Sequence, residues 1–164
     1  MSDIVLCAAI IVMLIIGWRD FASLRISNTS VLVLLGLYGA FAATKGFEGI
    51  LNDIIAGAVL FGVTFIFWLF RAIGAGDVKL YLPLGFFVGL DNLAPFALAL
   101  TAASLLLLVL IKIGGRLASG TSYFGRRLKE LRASGKVPYG VPMGLGAIAV
   151  IVAERFGGIS LFPI

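Results

Sequence analysis

Six stretches of this chain carry no charged residue at all: 4–18, 26–44, 54–70, 80–90, 92–111 and 137–153. A helix needs about 17–25 mostly apolar residues to cross roughly 30 Å of hydrocarbon, and the second, third, fifth and sixth stretches meet that length directly. The first and fourth reach it only by taking in the polar segments 19–24 and 74–79, which bring Asp20 and Asp77 with them. With 61% hydrophobic and 13% charged residues in 164, a soluble globule could not hide so much apolar surface, because part of any small domain must face water. The expected architecture is an all-α, polytopic membrane protein of six transmembrane helices, forming a single domain over residues 1–164.

Charge distribution sets the expected orientation. Arg19, Arg25, Arg71, Lys79, Lys112, Arg116, Arg126, Arg127, Lys129, Arg132 and Lys136 all fall in the odd-numbered connections, against Lys45 and Arg155 on the other side. Cytoplasmic loops of membrane proteins carry such an excess of Lys and Arg. The odd connections are therefore expected to be cytoplasmic and both termini outside. This distribution explains the net charge of +5 without any nucleic-acid partner. The segment before residue 18 has Asp3 where a secretory signal has a basic region, and is read as a retained span. The longest connection, 114–136, is basic, with Phe124, Leu128 and Leu131 at helical spacing. Two readings fit it: a helix lying in the anionic interface, or an ordinary positive-inside loop.

The chain has no histidine and a single cysteine, Cys7. A Ser-His-Asp triad, a His-based zinc site, an internal disulfide and a CxxC metal site are thereby excluded. No cofactor or metal is expected. What is left for chemistry is carboxylates, hydroxyls, Lys and Arg.

Ionisable groups at membrane depth are costly and usually functional. Asp3, Glu48, Asp53, Asp91 and Glu154 fall at outer ends or loops, and Glu130 lies in the basic loop; each has a solvated explanation. Asp20 and Asp77 differ, since each sits at the cytoplasmic end of a span too short without it. Two carboxylates brought together from separate helices can share a proton, one acting as general base on water and the other as general acid. The competing explanation is that they cap helices or pair with Arg19, Arg25 or Lys79. Asp77 closes the tetrapeptide Gly74-Ala75-Gly76-Asp77. Glycines there permit close backbone approach and unusual conformations, and unwound backbone at this depth must be buried in protein or line a wet cavity. In a chain with 21 glycines the tetrapeptide alone is a weak signal.

Its context strengthens it. Gly74-Ala75-Gly76-Asp77-Val78-Lys79 resembles the GxGDxK signature of the type IV prepilin leader peptidases, a family of intramembrane aspartic proteases. Asp20-Phe21-Ala22-Ser23-Leu24-Arg25-Ile26-Ser27-Asn28 resembles that family's D-x5-I-P-N motif, with Ser27 in place of proline. Val137-Pro138-Tyr139-Gly140 resembles the opening of the last span in short members, those serving Flp (Tad) pili. The resemblance implies catalytic roles for Asp20 and Asp77 and supporting roles for Gly74, Gly76, Lys79 and Asn28. It implies a prepilin-like substrate cut at the cytoplasmic face of a bacterial inner membrane, with pilus-assembly machinery as a further partner. The cysteine-bearing region of larger, bifunctional members is absent, so N-methyltransferase activity is not expected. Two other classes remain open from the residues alone: a transporter or assembly scaffold using the two aspartates for cations, and a Ser-Lys protease pairing Lys79 with Ser27 or Ser30.

Overall fold

The structure, a computed structural model, describes residues 2–117 and 122–157. Its order is α1 (Ser2–Ser23), α2 (Asn28–Thr44), α3 (Ile50–Leu69), α4 (Ala75–Val88), α5 (Leu93–Val109), a π-helical segment (Leu110–Gly114), the short α6 (Gly115–Leu117), α7 (Tyr123–Ser134) and α8 (Gly140–Gly157), with no strand among the described residues. The all-helical class expected from the uncharged runs is therefore observed. Among the described residues three helices are long and apolar enough to cross a membrane: Ser2–Ser23, Ile50–Leu69 and the continuous Leu93–Leu117. Asn28–Thr44 is apolar but shorter.

The polar segments that lengthen the first and fourth runs are helical or nearly so. α1 continues without a break through Asp20 to Ser23, where Leu24, at φ 55°, ends it in the left-handed region that most side chains avoid. α4 starts at Ala75 and has 14 residues, about 21 Å at 1.5 Å per residue. It is the most enclosed helix, burying Val78, Leu80, Pro83, Leu84, Gly85, Phe87 and Val88, which leaves little of it to face lipid.

Small residues set the helix spacing. A Cβ on Gly85 would come within 2.5 Å of the Gly57 Cα and 2.7 Å of its nitrogen, so α3 and α4 meet backbone to backbone. A Cβ on Gly144 would stand 3.2 Å from the Met13 carbonyl oxygen, and one on Gly146 3.0 Å from the Leu100 nitrogen. α8 thereby lies close to both α1 and α5. Where apolar surface gains nothing by leaving lipid, close contact of this kind is what drives helices together.

Successive long helices alternate in direction. At one end of the bundle the end of α1 meets the starts of α2, α4 and α8. At the other end Tyr38 Oη donates to Asp53 Oδ2 (2.7 Å), Asn92 Nδ2 to Glu154 Oε2 (3.1 Å), and Arg155 pairs with Asp3 (2.7 Å). Asp53 is thus anchored on Tyr38, a tie that its reading as a merely solvated acid omitted.

Within segment 114–136, where residues 118–121 lie outside the described residues, Tyr123–Ser134 form the helix α7. Its apolar face packs on protein: Leu128 and Leu131 are buried with Phe21, Leu107 and Ile111. Phe124 stacks on Phe21 at 5.3 Å between ring centres. Leu128 and Leu131 are therefore part of the protein interior and unavailable to lipid.

Candidate active site

Asp20 lies three residues before the end of α1, on the face that buries Met13, Ile16, Gly17 and Phe21. Only 4% of it is exposed. Gly140, the first residue of α8, donates its backbone N–H to Asp20 Oδ2 at 2.7 Å. The first N–H groups of a helix have no partner inside it, so the Asp20 carboxylate serves as the cap of α8. A side chain at Gly140 would crowd this bond, because a Cβ there would stand 3.0 Å from Asp20 Oδ2 and 3.0 Å from its Cβ.

Asp77 occupies the first turn of α4, whose N-cap is Gly74. Its carboxyl group folds back beside Gly74, where a Cβ would stand 3.0 Å from Asp77 Oδ2. Contrary to expectation, the GxGD segment is not unwound: Gly74 has φ −72° and ψ 144°, an ordinary N-cap conformation, and Ala75–Asp77 are helical. The close-approach part of the expectation holds, since a Cβ on Gly76 would lie 3.3 Å from the Ile26 Cβ. Gly76 thus lets the start of α4 lie against the link between α1 and α2.

Both aspartates line one cavity of about 270 Å³, shared with Ile26, Gly76, Lys136 and Tyr139. Asp77 and Tyr139 also line an adjoining cavity of about 160 Å³ that reaches Tyr81 and Met143. The N-termini of α4 and α8 are both aimed at this space, placing the positive ends of two helix dipoles at the carboxylates.

The remaining motif residues meet as well. Lys79 Nζ donates to Asn28 Oδ1 at 3.1 Å, linking the two aspartate motifs through side chains 51 positions apart. Ser27, where the family motif has proline, is the N-cap of α2: its hydroxyl oxygen accepts the Ser30 N–H at 3.1 Å. Its φ of −79° and ψ of 144° are values a proline also adopts, so serine makes the same turn by a different device. Ser27 and Ser30 Oγ atoms lie 2.7 Å apart. With those hydroxyls engaged in the cap and Lys79 held on Asn28, the Ser-Lys alternative has no geometric support.

The capping explanation of the aspartates is half right. The Asp20 carboxylate does cap a helix, yet among the described residues neither aspartate forms an ion pair with Arg19, Arg25 or Lys79. Arg127 is the basic group that approaches, and it does so through the backbone. Its Nε donates to the Phe21 carbonyl oxygen at 2.7 Å, one of the unpartnered carbonyls at the end of α1, while its Nη1 pairs with Glu130 at 2.9 Å.

Sequence reasoning missed Gly140, Tyr139, Lys136 and Arg127 as parts of the site. The first two stand in the quoted Val137-Pro138-Tyr139-Gly140 segment, where glycine directly before an apolar run was a usable signal. Nothing distinguished Arg127 among the other basic residues of its loop.

No curated protein and no solved structure matches the chain. The sequence does match the type IV leader peptidase family over residues 7–112, the segment that carries both aspartates, Asn28, the glycines and Lys79. With most of its length matched and both signature motifs converging on one cavity, the chain belongs to the type IV leader peptidase family.

Proposed function

We propose that the protein is an intramembrane aspartic endopeptidase that removes the leader from prepilin-like precursors at the cytoplasmic face of the bacterial inner membrane. The observation that carries this reading is the opening of Asp20 and Asp77, from separate helices, onto one cavity. In the proposed reaction one carboxylate takes a proton from water as its oxygen attacks the scissile carbonyl carbon. The other protonates the departing amide nitrogen as the C–N bond breaks. Gly140 holds the Asp20 side chain through its backbone N–H.

In this reading the whole chain is one domain of six spans with its termini outside, and segment 114–136 is cytoplasmic. The short helix α4 needs no full lipid-facing length, since its neighbours enclose it. The Val137-Pro138-Tyr139-Gly140 segment supports placement in the Flp (Tad) branch, with cleavage unaccompanied by N-methylation. Pilus-assembly machinery and membrane lipid are the expected neighbours, and no metal or cofactor takes part.

The test is direct. Purified protein is incubated with a prepilin precursor in detergent, and the product is read by gel mobility and mass spectrometry. A new amino terminus after the leader, unmethylated and formed equally in the presence of EDTA, is expected. An intact precursor would overturn the peptidase reading, a methylated terminus the single-activity reading, and loss with EDTA restored by metal the aspartic mechanism.

A further inference from the structure

A cavity of about 890 Å³ lies beside the aspartate site, between the end of the α5 helix and α7. Four cations line it, Lys112, Arg116, Arg132 and Lys136, and no carboxylate does. Glu130 is the one carboxylate between residues 92 and 153, and it is paired with Arg127. The cavity is also a built feature. The π-helical segment Leu110–Gly114 inserts a residue into the helical repeat, a departure often found at functional sites. Gly115 follows it, where a Cβ would come 2.8 Å from the Leu128 carbonyl oxygen and 3.1 Å from the Arg132 Cβ. Its missing side chain is what lets Arg132 lie against the end of the α5 helix.

The rest of the wall is apolar and open. Ile113 is 55% exposed and Leu117 77% exposed, both at the end of the long apolar helix Leu93–Leu117. Cations grouped at the end of a span beside exposed apolar side chains match an ionised phosphodiester joined to acyl chains. Basic pockets between helices on the cytoplasmic side hold anionic headgroups in this way. A basic leader peptide would be repelled.

We propose that this cavity binds the headgroup of an anionic phospholipid from the cytoplasmic leaflet, with its acyl chains along Ile113 and Leu117. Lys136 and Val137 line both this cavity and the aspartate cavity. A bound headgroup therefore braces the segment that leads into Gly140 and the cap on Asp20. The inference rests on the membrane orientation in the proposed function, but not on peptidase activity.

The experiment measures thermal unfolding of the full chain in mixed micelles containing phosphatidylglycerol or phosphatidylcholine at equal mole fraction, and in phosphatidylcholine micelles with inorganic phosphate. Phosphatidylglycerol alone is expected to raise the midpoint. At about 1 kcal/mol per basic residue near an anionic surface, equivalent to about fivefold in affinity, each of Lys112→Gln, Arg116→Gln and Arg132→Gln should raise the phosphatidylglycerol fraction needed for half the shift about fivefold. Arg126→Gln and Lys129→Gln, exposed on α7 outside the cavity, should change it less than about twofold, since surface charges away from a site contribute little. An equal response to phosphatidylcholine would overturn the proposal without recourse to any variant. So would a response to phosphate matching that to phosphatidylglycerol, which would mark a free-anion site, or control variants as weakened as the cavity variants. Lipid selectivity without leader cleavage would sink the peptidase reading alone, and cleavage without lipid selectivity would sink this inference alone.

Discussion

Gly140→Ala tests the site through geometry and leaves every ionisable group in place. The added Cβ would stand 3.0 Å from Asp20 Oδ2, 3.0 Å from its Cβ and 3.2 Å from its Cγ, so the contact is with the carboxyl group itself. Asp20 is 4% exposed and cannot swing into solvent, and the Gly140 N–H that it accepts is unchanged by the substitution. The side chain must therefore shift by a few tenths of an ångström within its pocket. A misplacement of ~1 Å can cost about 10²-fold in rate, so roughly 10-fold is expected for a shift of less than half that size. The overpacking itself should cost ~1–3 kcal/mol of stability. Initial rates of leader cleavage in detergent, normalised to folded protein, measure the first effect, and thermal unfolding measures the second. Gly17→Ala is the matched control on the same α1–α8 interface. Its Cβ would meet Val141 Cα at 3.4 Å, an ordinary contact, and its cleavage rate should stay near that of the parent. A parental rate for folded Gly140→Ala, or an equal loss in Gly17→Ala, would refute the claim that Asp20 acts at the position Gly140 holds.

Asn keeps the size of Asp and an oxygen that can accept the Gly140 N–H at position 20, but it cannot ionise, so Asp20→Asn and Asp77→Asn isolate the proton chemistry. Each should lose at least ~10²–10⁴-fold in cleavage rate, the double variant should be hardly worse than either single one, and Asp91→Asn should cost little; an active Asn variant at either site would leave capping as the explanation. Ser27→Pro should be close to neutral in thermal unfolding and in cleavage, because a lost cap of about 1 kcal/mol is offset by ~0.4–1 kcal/mol from a stiffer unfolded chain; a fall in stability beyond that range would contradict the backbone match. Gly85→Ala should lower stability by at least ~1–3 kcal/mol, as it forces α3 from α4, whereas Gly62→Ala on α3, with open space around it, should not; equal midpoints would show that the two helices do not meet at Gly57. Reporters fused after Gly46 or at the C-terminus should read as external and those within 114–136 as cytoplasmic, and an external reading for 114–136 would put the aspartates on the wrong face for a prepilin.

The uncharged runs determined the helices because their signal is local: a stretch without charge must be helical if it is to satisfy its backbone away from water. Asp20 and Asp77 could be assigned to one end of the bundle for an equally simple reason, since alternating helices return the first and third connections to the same side. Which faces of those helices meet was not legible. In a helix that is apolar all round, residues facing lipid and residues facing protein look alike, and the periodicity that marks a buried face in water carries little information. Packing is decided instead by the fit of small residues, such as Gly57 against Gly85 and Gly144 against Met13, and that fit depends on partners far away in the chain. The same reason hid the support of the site. The N–H that holds Asp20 comes from Gly140, 120 positions away, and the side chain that closes the end of α1 is Arg127, 106 positions from Phe21. The GxGD glycines illustrate the division. Their identity pointed to a place where backbone comes close, and the tertiary structure alone decided that the approach is made by a regular helix start, because what Gly76 must clear is Ile26, 50 positions earlier in the chain.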